Sequence, residues 1–162
     1  MFSPIITTGE RANNGNDIRY RNQPEDLLED LIALDYDAAD AYQAAIDRLE
    51  NTHFKQTLRD FKGDHLRHVE ELSEILSGMG RTPPKEGDMK SLLTKGKVVI
   101  AGMMGDKAIL EAMRTNEADT NTAYERVVAH EGVPSTTLNV LQRGLQDERR
   151  HCEWILDTQK RL

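Results

Sequence analysis

Apolar residues recur every three to four positions in four long segments of this chain, which is the spacing of amphipathic helices. Prolines are few and fall at the borders of these segments rather than inside them. We therefore predict helices over residues 24–50, 52–77, 106–131 and 135–161. The expected N-caps are Asn51 or Thr52 for the second helix, Asp106 for the third, and Ser135 or Thr136 for the fourth.

The lengths of the connections predict how the helices are arranged. The first two helices and the last two are each joined by a few residues, which favours antiparallel hairpins. Residues 81–105 form a much longer link, which we expect to cross the bundle from end to end. Residues 91–93 are expected to begin a short helix in this link, with a short strand as the alternative. The sequence thus predicts an all-α four-helix bundle of two antiparallel hairpins joined by a long crossover.

The remaining residues predict one domain with a leader. A chain of 162 residues is long enough to bury a single core without disulfides, so residues 23–162 are interpreted as one bundle. Residues 1–22 include a Gly- and Asn-rich stretch with few large apolar side chains, which is typical of a flexible leader. The single cysteine, Cys152, excludes an intrachain disulfide and favours a reducing compartment, so we expect a cytoplasmic protein.

The charge of the chain narrows the classes of partner. Asp and Glu number 28 against 21 Lys and Arg, which gives a net charge of -7. This charge opposes binding to a phosphate backbone or to an anionic membrane surface. No apolar run is long enough for a secretory signal or a membrane-spanning helix. We therefore predict no nucleic acid and no membrane as a partner.

Each apolar stripe is interrupted near its centre by residues that can bind metal or exchange protons. These residues are Asp35 in the first helix, His65 and His68 in the second, Glu117 in the third, and Glu148 and His151 in the fourth. A buried charged group is unfavourable unless it is paired or bound to a metal. Because helices of similar length place their centres at one level, we predict that all six side chains meet in a single site.

The two halves of the chain also repeat one another. Asp35 precedes Tyr42 by seven residues, and Glu117 precedes Tyr124 by the same interval. The second helix then carries His-x-x-His where the fourth carries Glu-x-x-His, and this spacing puts both members on one helix face. We interpret the repeat as the duplication of a helical hairpin, and we expect both tyrosines to support the metal ligands from outside.

This pattern resembles the ferritin-like di-iron carboxylate superfamily, including rubrerythrin-like proteins, in which two helices each give a Glu and two give Glu-x-x-His. The similarity covers residues 24–162, and the surroundings of Glu148, Asp-Glu-Arg-Arg-His-Cys-Glu-Trp, are similar to a rubrerythrin-type last helix. The chain also resembles a group of bacterial ferritin-like proteins of unknown function. The resemblance implies that His68, Glu117, Glu148 and His151 are metal ligands.

Two positions depart from the superfamily pattern. Asp35 stands where a longer Glu is expected, and His65 stands where a bridging Glu is expected. The loss of a carboxylate favours a mixed nitrogen and oxygen site for one or two ions of iron, manganese or zinc. Asp64 is a candidate to replace the lost carboxylate, but its angle on the helix places it off the apolar stripe and away from the site. Arg149 and Arg150 have the pattern of a solvated face.

Three functions follow as hypotheses. The first is a metal protein that reacts with oxygen or peroxide or handles iron. The second is a metal-free structural or interaction bundle that retains a hydrogen-bonded polar core and self-associates as a homo-oligomer. The third is a cage-forming miniferritin, which the location of all ligands inside one bundle disfavours. The sequence leaves open whether the protein is an enzyme.

Overall fold

The computed structural model describes residues 23–86 and 100–162, and within them the chain forms four helices. They are α1 Pro24–Arg48, α2 Thr52–Gly78, α3 Asp106–Val128 and α4 Ser135–Gln159. These two ranges contain no strand, so the predicted all-α fold class is confirmed and each helix lies close to its predicted bounds. The expected leader and the helix start at residues 91–93 lie outside the described residues.

The prediction of the helix N-caps was right for one helix and wrong for two. Asn51 caps α2, since its side chain accepts hydrogen bonds from the backbone N–H groups of His53 and Phe54 at 2.9 and 3.1 Å. Gly105, with a φ of 85°, precedes α3 in place of the predicted Asp106 cap. In α4 the N-cap is Pro134 and no side chain caps the helix. Neither of these two helix starts therefore has a side-chain cap.

Contacts at the two ends of the bundle fix the topology. Asp106 begins α3 and accepts hydrogen bonds from the backbone N–H groups of Glu50 and Asn51 at the far end of α1, at 2.7 and 3.0 Å. Arg81, just after α2, pairs with Asp26 and Glu29 at the start of α1. The link between α2 and α3 therefore leaves one end of the bundle and returns at the other. Its described ends confirm the crossover.

The packing partners of each helix agree with this topology. α1 contacts α2 and α3, and α4 contacts α2 and α3. All four neighbouring pairs run antiparallel, because the crossover reverses the direction of the second hairpin relative to the first. At the end of the crossover, Ile100 is buried and Met103 packs against the core, whereas Met104 is 89 % exposed. None of the described helices is long and apolar enough to cross a membrane.

The apolar core is divided into two clusters. One lies at the end where α1 stops and contains Leu49, Leu58 and Ile109, all almost completely buried. The other lies at the opposite end and contains Leu28 and Leu72. Since burying one such side chain contributes about 1.5–3 kcal/mol, both clusters stabilise the bundle substantially. The six polar residues lie in the layer between them.

Two helix glycines are expected to respond in opposite directions to substitution by alanine. A Cβ atom on Gly144 would lie 2.6 Å from Cε1 of Tyr124, so Gly144→Ala should lower the free energy of unfolding by about 1–3 kcal/mol. A Cβ atom on Gly63 would meet no atom within 4 Å, so Gly63→Ala should raise that energy by about 0.5–1 kcal/mol. Urea denaturation of both variants measures the difference, and equal shifts would contradict the packing at Tyr124.

Candidate metal centre

The structure brings together all six polar side chains that the sequence singled out. They come from the middle of all four helices and lie between the two apolar clusters. Five are completely buried and one, His68, is 3 % exposed. Their convergence is a property of the fold, whereas metal ligation by them stays a prediction.

The possible ligand atoms form two overlapping groups. One contains Asp35, His65, His68 and Glu148, and we call it the His68 half; the other contains His65, Glu117, Glu148 and His151, and we call it the His151 half. Within each half, one nitrogen or carboxylate oxygen from every residue lies within 4.8 Å of the others. His65 and Glu148 belong to both halves and stand between them. The layer therefore has room for one ion in each half.

The two tyrosines each form a hydrogen bond with a carboxylate of the other hairpin. The hydroxyl of Tyr42 donates a hydrogen bond to Oε1 of Glu117 at 2.5 Å, and the hydroxyl of Tyr124 donates to Oδ2 of Asp35 at 2.7 Å. Burial and the adjacent carboxylates raise the pKa of both phenols well above their ordinary value, so both remain donors. Each tyrosine thus orients the carboxylate contributed by the other hairpin.

Two aspartates hold the outer side of the histidines. Nε2 of His68 lies 3.1 Å from Oδ2 of Asp147, and Nε2 of His151 lies 3.0 Å from Oδ2 of Asp64. Because an ionised carboxylate only accepts, Nε2 of each histidine carries the proton. Nδ1, which points at the inner carboxylates, is then the nitrogen able to bind an ion. Asp64 was predicted to lie away from the site, and its contact with His151 shows that this prediction was wrong.

Two arginines connect these aspartates across the bundle. Arg67 donates to Asp64 and Asp147 at 2.7 and 2.5 Å, and Arg150 donates to the same two carboxylates at 2.5 and 3.0 Å. Although burial acts against it, hydrogen bonds from His151 and Arg67 hold the pKa of Asp64 well below its ordinary value. Arg150 is half exposed as predicted, but it also fixes the partners of both histidines.

The sequence contained a signal for this outer network. The pattern Asp-x-x-Arg-His occurs twice, at residues 64–68 and at residues 147–151. Each copy supplies one inner ligand, one arginine, one outer histidine and the aspartate that supports the histidine of the other copy. The prediction of the site rested only on the inner residues of this repeat, so it did not include the two aspartates and the two arginines.

The charges in the middle of the site are unevenly distributed. Burial, with the nearby charges of Glu117 and Asp35, raises the pKa of Glu148 to about 7. Burial opposes the charge of His65, but the carboxylates around it raise its pKa well above the ordinary value. Burial also opposes the charge of Glu117, yet the imidazoles of His151 and His65, each with a nitrogen 3.5 Å from this carboxylate, lower its pKa to about 2. Without an ion, a protonated His65 is the positive charge at the centre.

The protonated His65 does not provide hydrogen-bond partners for all the buried polar atoms of the site. Within residues 23–86 and 100–162, seven buried side-chain polar atoms have no hydrogen-bond partner, and five of them belong to the His151 half. They are Nε2 of His65, Oε2 of Glu117, both carboxylate oxygens of Glu148 and Nδ1 of His151. Buried polar atoms are rarely left unpaired, because each costs about 1–3 kcal/mol. Every member of this half thus has at least one nitrogen or oxygen atom without a hydrogen-bond partner. Imidazole nitrogens and carboxylate oxygens are suitable ligands for a divalent transition metal.

Cys152 lies next to the site but outside both halves. Its Sγ atom accepts a hydrogen bond from Nδ2 of Asn121 at 3.1 Å. Burial and the nearby charge of Glu117 raise the pKa of the thiol to about 11, so it stays protonated. This agrees with the interpretation of Cys152 as a packing residue rather than a reactive thiol.

A comparison with protein families finds a match that covers three of the four described helices. Residues 23–130 match the family described as Domain of unknown function (DUF2383), and this range contains α1, α2 and α3. It includes Asp35, His65, His68 and Glu117, whereas Glu148 and His151 follow it. No curated protein matches the chain. Since the match covers two thirds of its length, the chain belongs to the DUF2383 family.

Proposed function

We propose that this protein is a ferritin-like metal-binding protein whose site binds one divalent ion tightly in the His151 half and a second ion more weakly in the His68 half. The unsatisfied atoms of the His151 half carry this proposal, because all four of its residues contribute at least one of them. Two carboxylates and two histidines are a suitable ligand set for Fe(II), Mn(II) or Zn(II).

The His68 half is less ready to bind an ion. Oδ1 of Asp35 already contacts Nδ1 of His65 at 2.9 Å, and its Oδ2 accepts from Tyr124. An ion there must displace the proton of His65 and share Glu148 with the first ion. The aspartate is also one methylene shorter than the glutamate of the related pattern. These contacts support unequal occupation of the two halves.

When bound, iron or manganese would supply redox chemistry with oxygen or peroxide. The chain's own residues prepare the site for this role in three ways. Tyr42 and Tyr124 orient the carboxylates, Asp64 and Asp147 fix which histidine nitrogen is free, and the two apolar clusters exclude water.

The second candidate is a metal-free bundle with a relic polar core. The contact of 2.9 Å between His65 and Asp35, together with the raised pKa of His65, favours it, because a protonated histidine supplies the positive charge of an ion. In that case the bundle acts through its surface, by self-association. The unsatisfied atoms of the His151 half argue against this candidate.

The test is an anaerobic titration of chelator-treated protein with Fe(II), followed by Mn(II) and Zn(II), with equilibrium dialysis to count the ions per chain. We expect one tightly bound ion per chain and a weaker second one. Retention of no ion by correctly folded protein would contradict the proposal and support the metal-free candidate.

The pKa values predict how the stability of the metal-free protein changes with pH. The raised pKa of Glu148 means that the folded state holds a proton which the unfolded state releases near pH 4.5, so stability falls as the pH rises from there towards about 7. The raised pKa of His65 acts in the same direction above pH 6.5. Glu148→Gln should flatten the profile by up to about 1.4 kcal/mol per pH unit, because its amide cannot ionise.

Urea denaturation between pH 5 and pH 7.5 measures this slope in the presence of chelator. The exposed Glu153 on the same helix provides the control Glu153→Gln, which should leave the slope unchanged. A steeper slope in the Glu148 variant would contradict the raised pKa of that carboxyl group.

We also propose a cytoplasmic location, oxygen or peroxide as the small-molecule substrate, and no nucleic-acid or membrane partner. The net charge of -7 supports the last point. All predicted ligands come from one chain, which argues against a site shared between subunits of a cage. Measuring the mass in solution distinguishes a monomer or small homo-oligomer from a miniferritin shell.

A further inference from the structure

The repeat between the hairpins is broken at one position that flanks the site. Phe61 lies four residues before His65, and Gly144 lies four residues before Glu148, so the two occupy equivalent places. The ring of Phe61 stacks on His151 with the ring centroids 4.1 Å apart, and the guanidinium group of Arg150 lies over the ring of Phe61 at 5.7 Å. His151 is therefore covered by an aromatic ring and is completely buried.

The equivalent place beside His68 holds the ring of Tyr124, which lies where a side chain on Gly144 would be and has its centroid 5.5 Å from that of His68. This ring does not seal the histidine, because a pocket of about 330 Å³ reaches His68, with Gly144 and Asp147 at its wall. Arg67, Arg143 and Gln146 also line it. Asp147 and Glu71 form ion pairs with the two arginines, so the positive and negative charges at the rim of the pocket balance. The rim therefore repels neither a neutral molecule nor a small anion. A pocket of this size is much larger than a molecule of two or three heavy atoms, since water takes about 30 Å³ in the liquid.

We propose that this pocket is the route by which a small neutral or singly charged ligand, of the size of hydrogen peroxide or azide, reaches the His68 half. Phe61 closes the corresponding route to the His151 half. An ion in the His151 half is then shielded, and the His68 half is where an external ligand meets the site. The role of this ligand rests on the proposed function, but the unequal access to the two histidines does not require a metal.

The test uses metal-free, full-length protein and diethyl pyrocarbonate, which acylates accessible imidazole nitrogens. Peptide mass spectrometry follows the modification of each histidine with time, and the exposed His53 is the internal reference. We expect His68 to react severalfold faster than His151. Both histidines have an aspartate on Nε2, but Nδ1 of His68 also lies 3.4 Å from Asp35, whereas Nδ1 of His151 has no hydrogen-bond partner. Hydrogen bonding alone would therefore make His151 the more reactive of the two, so a faster reaction of His68 reports access.

Two variants of α4 make the test specific for the pocket. Gln146→Trp places a large ring at the pocket wall and should slow the reaction of His68 severalfold. Gln142→Trp introduces the same ring one turn earlier, on an exposed residue outside the pocket, and should leave the rate unchanged. Circular dichroism confirms that both variants are folded.

A third variant tests the closed half. Phe61→Ala removes the ring that covers His151 and should bring the reaction rate of His151 close to that of His68. Metal binding is measured separately by dialysis. Equal rates for both histidines in the wild-type protein, or equal effects of the two tryptophan variants on His68, would overturn the proposed route. Failure to bind metal with the predicted rate difference intact would overturn only the proposed function.

Discussion

Replacing Glu148 with alanine is expected to abolish the thermal stabilisation that Fe(II), Mn(II) or Zn(II) gives to the wild-type protein. Glu148 belongs to both halves of the site, and neither of its carboxylate oxygens has a hydrogen-bond partner. A free ion at a hundred times its dissociation constant stabilises a protein by about 2.7 kcal/mol. For a chain of this length that corresponds to a rise in the thermal midpoint of about 5–10 °C. The variant should show almost no rise.

Thermal unfolding with and without added metal measures this effect, and Glu153→Ala is the matched control. Glu153 is an exposed glutamate on the same helix, so its loss should leave the metal-dependent rise intact. A wild-type protein that ignores every metal, with a Glu148 variant that is merely less stable by about 1–3 kcal/mol, would identify a metal-free network instead.

Replacing His65 with glutamate is expected to change the number of tightly bound ions from one to two. His65 stands between the halves, and its Nδ1 lies 2.9 Å from Asp35 and 3.4 Å from Glu148. A carboxylate at this place can bridge two ions, as in the related Glu-x-x-His pattern. Without metal the same change removes the positive charge of the protonated His65 and adds a buried negative one, so the variant should lose about 3–5 kcal/mol of stability.

Equilibrium dialysis and urea denaturation, each with and without metal, separate these two expectations for His65→Glu. Leu66→Glu is the control. Leu66 is 41 % exposed, so a glutamate at this position adds a negative charge outside the site. Its ion count and metal-free stability should match the wild type. A His65 variant that still binds only one ion tightly and keeps wild-type stability without metal would show that this histidine does not limit tight binding of the second ion.

The sequence predicted the helices because each buries an apolar face with a regular period, and this signal depends little on neighbours. The crossover was predictable from the length of the link between Gly78 and Asp106. Helix starts were predicted less well, because a cap depends on local geometry. Asp106 has the side chain of an N-cap, but it bonds to the end of α1.

The inner residues of the site were predictable because polar residues at core positions stand out against an apolar stripe. The outer residues were missed although Asp-x-x-Arg-His is repeated, because Asp64 and Arg150 lie at positions that are ordinarily solvated and the repeat does not say what they contact. Only the three-dimensional arrangement shows that Asp64 supports His151 on the opposite hairpin. The unequal cover of the two outer histidines is likewise visible only in the structure, where Phe61 stacks on His151 and a pocket reaches His68.

The central claim is that an ion occupies the His151 half, and anomalous X-ray diffraction from crystals grown with Mn(II) tests it most directly. The account predicts an anomalous peak enclosed by Glu117, Glu148, His151 and Nε2 of His65, with a weaker or absent peak beside Asp35 and His68. A map without a peak in the His151 half, from crystals grown at millimolar Mn(II), would contradict the claim.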